Sequence, residues 1–385
     1  MIFSKRIQKM SPSSTLSLVE LANKFKERGY NIISLAVGEP DFTTPPSVIE
    51  AAYEAMKEGK THYTPPTGIT ELKEAIAEKY RMENGVNIDA NNVIVTPAKL
   101  GIFMSVSTFI DPGDEVLIPD PGWVSYREMV NFARGRPVGV RLVEEKHFTM
   151  DIDDLVSKIN FKTKVLIINS PSNPTGSILT MEDLKAIRDV VIDFDLILIS
   201  DEIYEKIIYE GEHISPGVFD DLLNYTIIVN GFSKSHAMTG WRIGYLLAPH
   251  SFIPQLEKMQ QHTISCAPSM AQYAALQALR EREAVSRMVE EFKRRRDFVY
   301  EKLSHMPGIH VKKPKATFYI FPRYDFDIPS KEFAENLMIK KQVAVTPGSA
   351  FGPHGEHYFR ISFATSMENL KEGMRRLGEF LEELE

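Results

Sequence analysis

The chain is nearly free of cysteine. A single thiol, Cys266, in 385 residues excludes an internal disulfide and a cysteine-built zinc site, and reads as a small, semi-buried residue. No block of like charge is present either. The densest basic run, "FKRRRD" at 292–297, follows directly on Glu290 and Glu291 and reads as a solvated helix face. With a net charge of −7, neither nucleic acid nor an anionic membrane surface is an expected partner. No apolar run approaches the ~18 residues of a membrane span, and no charged-then-apolar leader opens the chain. The expectation is a soluble, cytoplasmic protein. Two common signatures are also missing. No Gly-x-Gly-x-x-Gly follows an apolar run, which argues against a dinucleotide dehydrogenase. The histidines of "GPHGEHYF" (352–359) lack His-Glu-x-x-His spacing, so a loop beside a strand is preferred there to a metal site.

What the chain does have is ample apolar content, 43% of its residues, enough for two domains or one large one. Short β-branched runs recur at 92–96, 114–119, 164–169, 196–200, 225–230 and 243–248. Most are continuous rather than alternating, the pattern of strands covered on both faces. Amphipathic helices separate several of them. One is 180–194, with Thr180 as cap and Asp183 at the third helical position. This alternation predicts an α/β domain with a mostly parallel sheet. Residues 271–303 read as one or two long helices leading out of it. Strand-like segments at 318–322, 343–348 and 356–364, and a closing helix at 367–384, suggest a smaller α+β unit. The segment 1–45, with one helix near 15–28, is assigned to that second unit.

In open α/β sheets, ligands gather outside the carboxyl ends of the strands. After "KVLIIN" come Asn173, Pro174, Thr175 and Gly176. After "LILIS" come Asp201 and Tyr204. After "YTIIVN" come Ser233 and Lys234, with Arg242 eight residues beyond the lysine. Each has an ordinary explanation alone: turn chemistry, a helix cap, a surface lysine, half of an ion pair. Together they put an amide, a carboxylate, a phenol, an amine and a guanidinium at one sheet edge. A desolvated amine can form a Schiff base with an aldehyde. A carboxylate can keep a pyridine nitrogen protonated, making the ring an electron sink. Phenol and amide suit a ring hydroxyl, while Ser233, Arg242 and free backbone N–H groups suit a phosphate. One molecule carries all four features, pyridoxal 5′-phosphate.

At these residues the sequence resembles a known family. "SPSNPTG" (170–176), "SDEIYEKIIYEGEH" (200–213) and "GFSKSHAMTGWRIGY" (231–245) resemble the class I aminotransferases of pyridoxal-phosphate fold type I. The Ser-Lys-x(5)-Gly-x-Arg-x-Gly pattern is highly specific, and the likeness runs from residue 17 to residue 370. Through "HYTPPTGITELKEAIAEKY" (62–80) and "PGWVSYREMV" (121–130) the chain looks closest to prokaryotic aspartate aminotransferases. The resemblance implies a large domain (46–285) with a mostly parallel seven-stranded sheet, and a small α+β domain made of 1–45 and 286–385.

It also implies roles. Lys234 would hold the cofactor and then act as base. Asp201 would pair with the ring nitrogen, Asn173 and Tyr204 with the ring hydroxyl, and Trp123 would stack on the ring. Ser233, Arg242 and the backbone at Ala98 and Lys99 would hold the phosphate. Gly240 and Gly244 would let the chain turn closely around it. Tyr63 would reach the phosphate of a neighbouring subunit, implying a homodimer with shared active sites. Gly38 and Arg360, with Asn173 and Trp123, would bind the substrate. Strand alternation is compatible with this: Phe359, Ile361 and Phe363 share one face and the arginine lies on the other, although without the resemblance a surface strand with a solvated arginine is the preferred reading.

One stretch departs from the family pattern. The usual Thr-x-Gly-small-x-Gln is replaced by "VTPAKLGIF" (95–103), a residue shorter before "DPGDEV". Lys99 is then either the cation that meets the distal carboxylate of an acidic substrate or a solvent-facing lysine. The expected activity is transfer of an amino group from an L-amino acid, aspartate in preference, to 2-oxoglutarate. An aromatic or broad-specificity aminotransferase, or a lyase on the same site, is the alternative. Residues 12–40, rich in Pro, Gly and Ser at both ends, are a candidate lid.

Overall fold

The computed structural model describes residues 2–12 and 14–384; Met1, Glu385 and Ser13, within the candidate lid, lie outside the described residues. Its centre is one large sheet. In chain order the strands are β1 (Val93–Val95), β2 (Glu115–Asp120), β3 (Arg136–Val143), β4 (Thr149–Met150), β5 (Thr163–Asn169), β6 (Ile197–Asp201), β7 (Thr226–Gly231) and β8 (Gly244–Leu247). Their spatial order is β1-β8-β7-β6-β5-β2-β3-β4. Neighbours β3, β2, β5, β6 and β7 run parallel, while β4 and β8 run against them. The continuous apolar runs are buried on both faces, as in β2 and β7, where every residue is buried.

The sheet has eight strands where seven were expected, and the difference lies at one edge. β3 ("RPVGVRLV") is broken in sequence by Pro137, Gly139 and Arg141, so it carries no continuous apolar signal. Gly139 fits against Asp120, whose carboxylate would lie 2.8 Å from an added Cβ. β4 is a two-residue antiparallel addition to β3. His147 and Phe148, both left-handed, turn the chain into it.

The helix Met181–Asp193 starts as its sequence suggests, with Thr180 and Asp183 forming a reciprocal capping box. The long helical stretch after the sheet is two helices, Ser269–Ala278 and Arg282–Ser304. The last third of the chain adds a three-stranded antiparallel sheet in which Phe359–Ser362 lies between Tyr319–Ile320 and Thr346–Pro347. Ile33–Ser34 pairs in parallel with Val343–Ala344. The helix Met367–Glu382 buries Leu370, Met374, Leu377, Phe380 and Leu381. One apolar cluster joins Ile33, Phe333, Phe359 and Phe380 to Ile203 and Tyr204, just past the end of β6. The two parts of the chain therefore meet where the sheet's polar edge begins.

Behind that edge Lys79 and Glu205 form an ion pair with side chains only 8% and 7% exposed. Asn84 bonds both partners. Burial pushes the Glu205 carboxyl up, but the charges of Lys79, Lys206 and His213 outweigh it and hold it at about 2. A carboxyl depressed from 4.5 contributes its stability in full above that value and loses it as the pH falls toward 2. Burial lowers the Lys79 amine, which offsets part of this, so a net contribution of at most about 3 kcal/mol is expected at neutral pH. Urea unfolding should show Glu205→Gln less stable than wild type at pH 7 by up to about that much, with the gap closing as the pH falls from 4.5 toward 2. A gap that is the same at both ends of that window would remove the ion pair as its source.

Candidate active site

β5, β6 and β7 are adjacent and parallel, with Asn169 level with Asp201 and Asp201 level with Val229. The turns that follow all emerge at one edge. They line a cavity of about 380 Å³, closed on its other sides by the start of the helix α1 (Ala98–Phe109), the start of the helix α2 (Val124–Phe132), and Gly38 and Arg360. Of the residues given a role at the site from the sequence, all line this cavity except Gly240, Gly244 and Tyr63, the last being 89% exposed.

Lys234 donates to the Gly38 carbonyl at 2.7 Å. Burial lowers its amine to about 8; Glu39 opposes this, while Arg360, Arg242 and Lys99 add to it. Asp201, the last residue of β6, is 4% exposed. Burial pushes its carboxyl up to about 6, although Tyr126, the Ile203 N–H and Lys234 all pull the other way. The Tyr126 hydroxyl donates to Asp201 Oδ2 at 2.6 Å. Tyr204 and Tyr319 share a phenol–phenol hydrogen bond of 3.1 Å, and burial raises both hydroxyls above their ordinary value. The Asn173 N–H donates to Asn169 Oδ1 at 2.8 Å, and its own Oδ1 accepts from Arg360 at 2.9 Å.

Arg360 is buried, not solvated. Its guanidinium stacks on Tyr319 at 4.2 Å and donates to the Ala36 carbonyl at 2.8 Å. Among the described residues its Nε has no partner and no carboxylate pairs with it. Burial lowers its affinity for its proton. Gly38 is needed beside it, because a Cβ there would lie 2.7 Å from the Tyr319 hydroxyl.

At the other side α1 opens at Ala98, after Pro97, so the amides of its first turn lack intrahelical acceptors. Arg242, in a left-handed backbone conformation, and Ser233 line the cavity beside it. Gly244 is required by close approach, since a Cβ would come within 2.8 Å of the Asn230 carbonyl and 3.1 Å of the Ala98 nitrogen. Gly240 is not; its missing Cβ faces open space, which corrects the expectation that both glycines serve the turn. Lys99 faces the cavity, with its amine 5.0 Å from the Trp123 ring centroid. Burial, then the charge of Arg242, lowers that amine.

Tyr126, Asn169 and Tyr319 also line the cavity, and none was singled out in the sequence. Tyr126 had a signal, lying three residues after Trp123 on the same helical turn. Asn169 looked like the end of an apolar run, and Tyr319 like an ordinary strand residue. A larger cavity, about 580 Å³, lies behind the Lys234 turn and has Lys79, Lys206 and Arg282 in its lining. These three are already paired with Glu205 or Glu83, and the remaining lysine of that lining, Lys293, is exposed. The smaller cavity is the one where Lys234 and the buried Arg360 stand without a carboxylate partner among the described residues.

The donor set fits pyridoxal phosphate. A buried carboxylate, a desolvated amine, phenol and amide groups, and a cradle of free amides with Arg242 occur together. At the carboxyl edge of a mostly parallel sheet, that combination defines a pyridoxal-phosphate enzyme of fold type I. The sequence profile of "Aminotransferase class I and II" matches residues 30–377. The chain belongs to that family and is a pyridoxal-phosphate-dependent aminotransferase. It is 45% identical to an aspartate aminotransferase of Pyrococcus abyssi, over 100% of this chain and 99% of the relative. It is 43% identical to an aromatic-amino-acid aminotransferase of Thermococcus litoralis, with the same coverage. The solved structure of Thermus thermophilus aspartate aminotransferase with maleate superposes with a TM-score of 0.93 at 40% identity, over 98% of this chain and 99% of that one.

Proposed function

We propose that the enzyme moves the amino group of aspartate to 2-oxoglutarate in two half-reactions at this cavity. The observation that carries the reading is a pair of cations, Arg360 and Lys99, that line one cavity and have no carboxylate partner among the described residues. Both proposed substrates have two carboxylates. Arg360 would take the α-carboxylate, with Gly38, Asn173 and Trp123 beside it, and Lys99 the distal one. Aromatic amino acids are the second reading, favoured by the rings of Trp123, Tyr126, Tyr204 and Tyr319 in the lining.

Bound pyridoxal phosphate supplies an aldehyde that takes up amines and a ring that draws electrons from the substrate α-carbon. Asp201 would face the ring nitrogen, and Trp123 a ring face. Tyr204 and the Asn173 Nδ2, left over from its bond to Arg360, would meet the ring hydroxyl. Ser233, Arg242 and the amides of Ala98 and Lys99 would hold the phosphate. Lys234 would carry the substrate's α-proton, a task suited to an amine held near 8. Arg360 would fix the substrate so that this proton lies within reach of Lys234 Nζ.

We propose a homodimer for the same site, with Tyr63 serving the neighbouring subunit. Tyr63 is exposed, and the helix Pro46–Lys57 carries Ile49, Tyr53 and Met56 exposed at one-turn spacing.

Initial rates with aspartate, phenylalanine and alanine, each against 2-oxoglutarate, test the substrate. If phenylalanine has the higher kcat/KM, the aromatic reading replaces the acidic one. Lys99→Ala is expected to lower the aspartate-to-phenylalanine ratio of kcat/KM by about 10- to 100-fold, the size of one hydrogen bond to a charged group. An unchanged ratio would remove Lys99 from the substrate's distal end.

A further inference from the structure

We infer that Tyr126 is a positioning residue for the reaction, its phenol fixing the Asp201 carboxylate in the orientation and charge state that meet the cofactor's ring nitrogen. The inference rests on the reading that Asp201 faces that nitrogen.

Asp201 has two bonds to its carboxylate, and they are unequal. The Tyr126 hydroxyl donates to Oδ2 at 2.6 Å, and the Ile203 N–H reaches Oδ1 at a long 3.3 Å. A carboxylate offers about four acceptor positions, so Oδ1 keeps room for an incoming N–H. Other groups approach from every side. Glu202 and Tyr204 follow Asp201 on its own turn, and Lys234 comes from the turn after β7. Asn169, on β5, spends its amide on the Asp201 backbone carbonyl at 2.9 Å and not on the carboxylate. No lysine or arginine forms an ion pair with Asp201 among the described residues. The phenol of Tyr126 is therefore the one close side-chain donor that holds this carboxylate.

The balance it acts on is close. Burial, aided by Glu202 and opposed by Tyr126, the Ile203 N–H and Lys234, leaves Asp201 at about 6. A hydrogen bond to the charged form favours that form. Tyr126 is also committed: it is fully buried, and among the described residues its hydroxyl bonds only Asp201. Its ring meets Trp123 edge-on, centroids 5.2 Å apart at 83°. The first turn of α2 thus carries both the aromatic ring that lines the cavity and the donor that orients the carboxylate. Removing the hydroxyl alone leaves the ring contact in place.

The test is Tyr126→Phe beside Asp201→Asn, read by cofactor affinity and by the cofactor's ring nitrogen. Titration of the cofactor-free protein with pyridoxal phosphate should give a Kd raised about tenfold or more in Tyr126→Phe. With ¹⁵N-labelled cofactor bound, the ring nitrogen resonance should move toward that of unprotonated pyridine. Turnover should fall about tenfold, with the KM for the amino acid within about threefold. A second variant covers loss of folding: 3-fluorotyrosine at position 126, a stronger donor of the same shape, should move the resonance the opposite way. If Asp201→Asn shifts Kd and resonance while neither Tyr126 variant does, Tyr126 is only a packing residue and the inference is overturned. If Asp201→Asn itself leaves the resonance unmoved, the underlying reading of Asp201 fails, and the inference with it.

Discussion

Replacing Lys234 with alanine is expected to lower turnover by at least about 10³-fold, the range of a positioned general acid–base group. The amine sits at the end of β7, where the strand stops and the Ser233–Lys234 turn enters the cavity. Burial and three neighbouring cations hold it near 8, so an appreciable fraction is neutral at physiological pH. A neutral amine is what attack on an aldehyde and removal of an α-proton both need. The cofactor-free wild type should therefore capture pyridoxal phosphate faster as the pH rises through about 8. Lys234→Ala should still bind the cofactor through Asp201, Arg242 and the α1 amides, and lose both the pH-dependent capture and the turnover. Small primary amines added to the solution should restore a measurable part of the rate, because they replace the lost group and not a lost fold. Turnover within about tenfold of wild type would take the base from Lys234.

The cavity was legible in the sequence to the extent that its chemistry sits next to strand ends. Asn173, Asp201 and Lys234 each follow a continuous apolar run, and three parallel strands must end on one side. Adjacency in sequence therefore became adjacency in space. Arg360 was legible only through the resemblance, since strand alternation put it opposite Phe359 and Ile361 but fitted a solvated arginine as well, and the strand is in fact buried on both faces. What stayed hidden depends on contacts across long sequence separations. Tyr126 is 75 residues from Asp201, and Tyr319 is 115 from Tyr204. No local pattern marks either partner. β3 escaped because Pro137, Gly139 and Arg141 interrupt its apolar run, which a strand near the edge of a sheet tolerates and a central one does not. Gly240 misled in the opposite sense: it stands in the Ser-Lys-x(5)-Gly-x-Arg-x-Gly pattern that carries the resemblance, yet no atom lies close enough to forbid a side chain there.

Arg360 provides the second large effect, and its pattern across substrates is as informative as its size. Arg360→Lys keeps a positive charge but loses the planar fork that binds a carboxylate with two parallel bonds. One charge-assisted hydrogen bond contributes about 1.5–3 kcal/mol, so kcat/KM should fall about 10- to 100-fold for the lysine variant and by up to about 10⁴-fold for Arg360→Ala. The α-carboxylate is common to all amino acids, so aspartate and phenylalanine should lose in equal proportion. Lys99→Ala, by contrast, is expected to separate them. The present surroundings of Arg360 fit such a task. Its ring partners and the Ala36 and Asn173 oxygens fix the guanidinium without neutralising it, and Nε is left with no acceptor. A buried charge kept without a counter-ion costs stability, and a carboxylate arriving with the substrate would relieve that cost at the moment of binding. If Arg360→Lys lowered only the aspartate rate, Arg360 would be reading the side chain and Lys99 would lose its proposed place. An equal loss on both substrates, together with a selective loss in Lys99→Ala, would divide the two carboxylates of the substrate between these two cations.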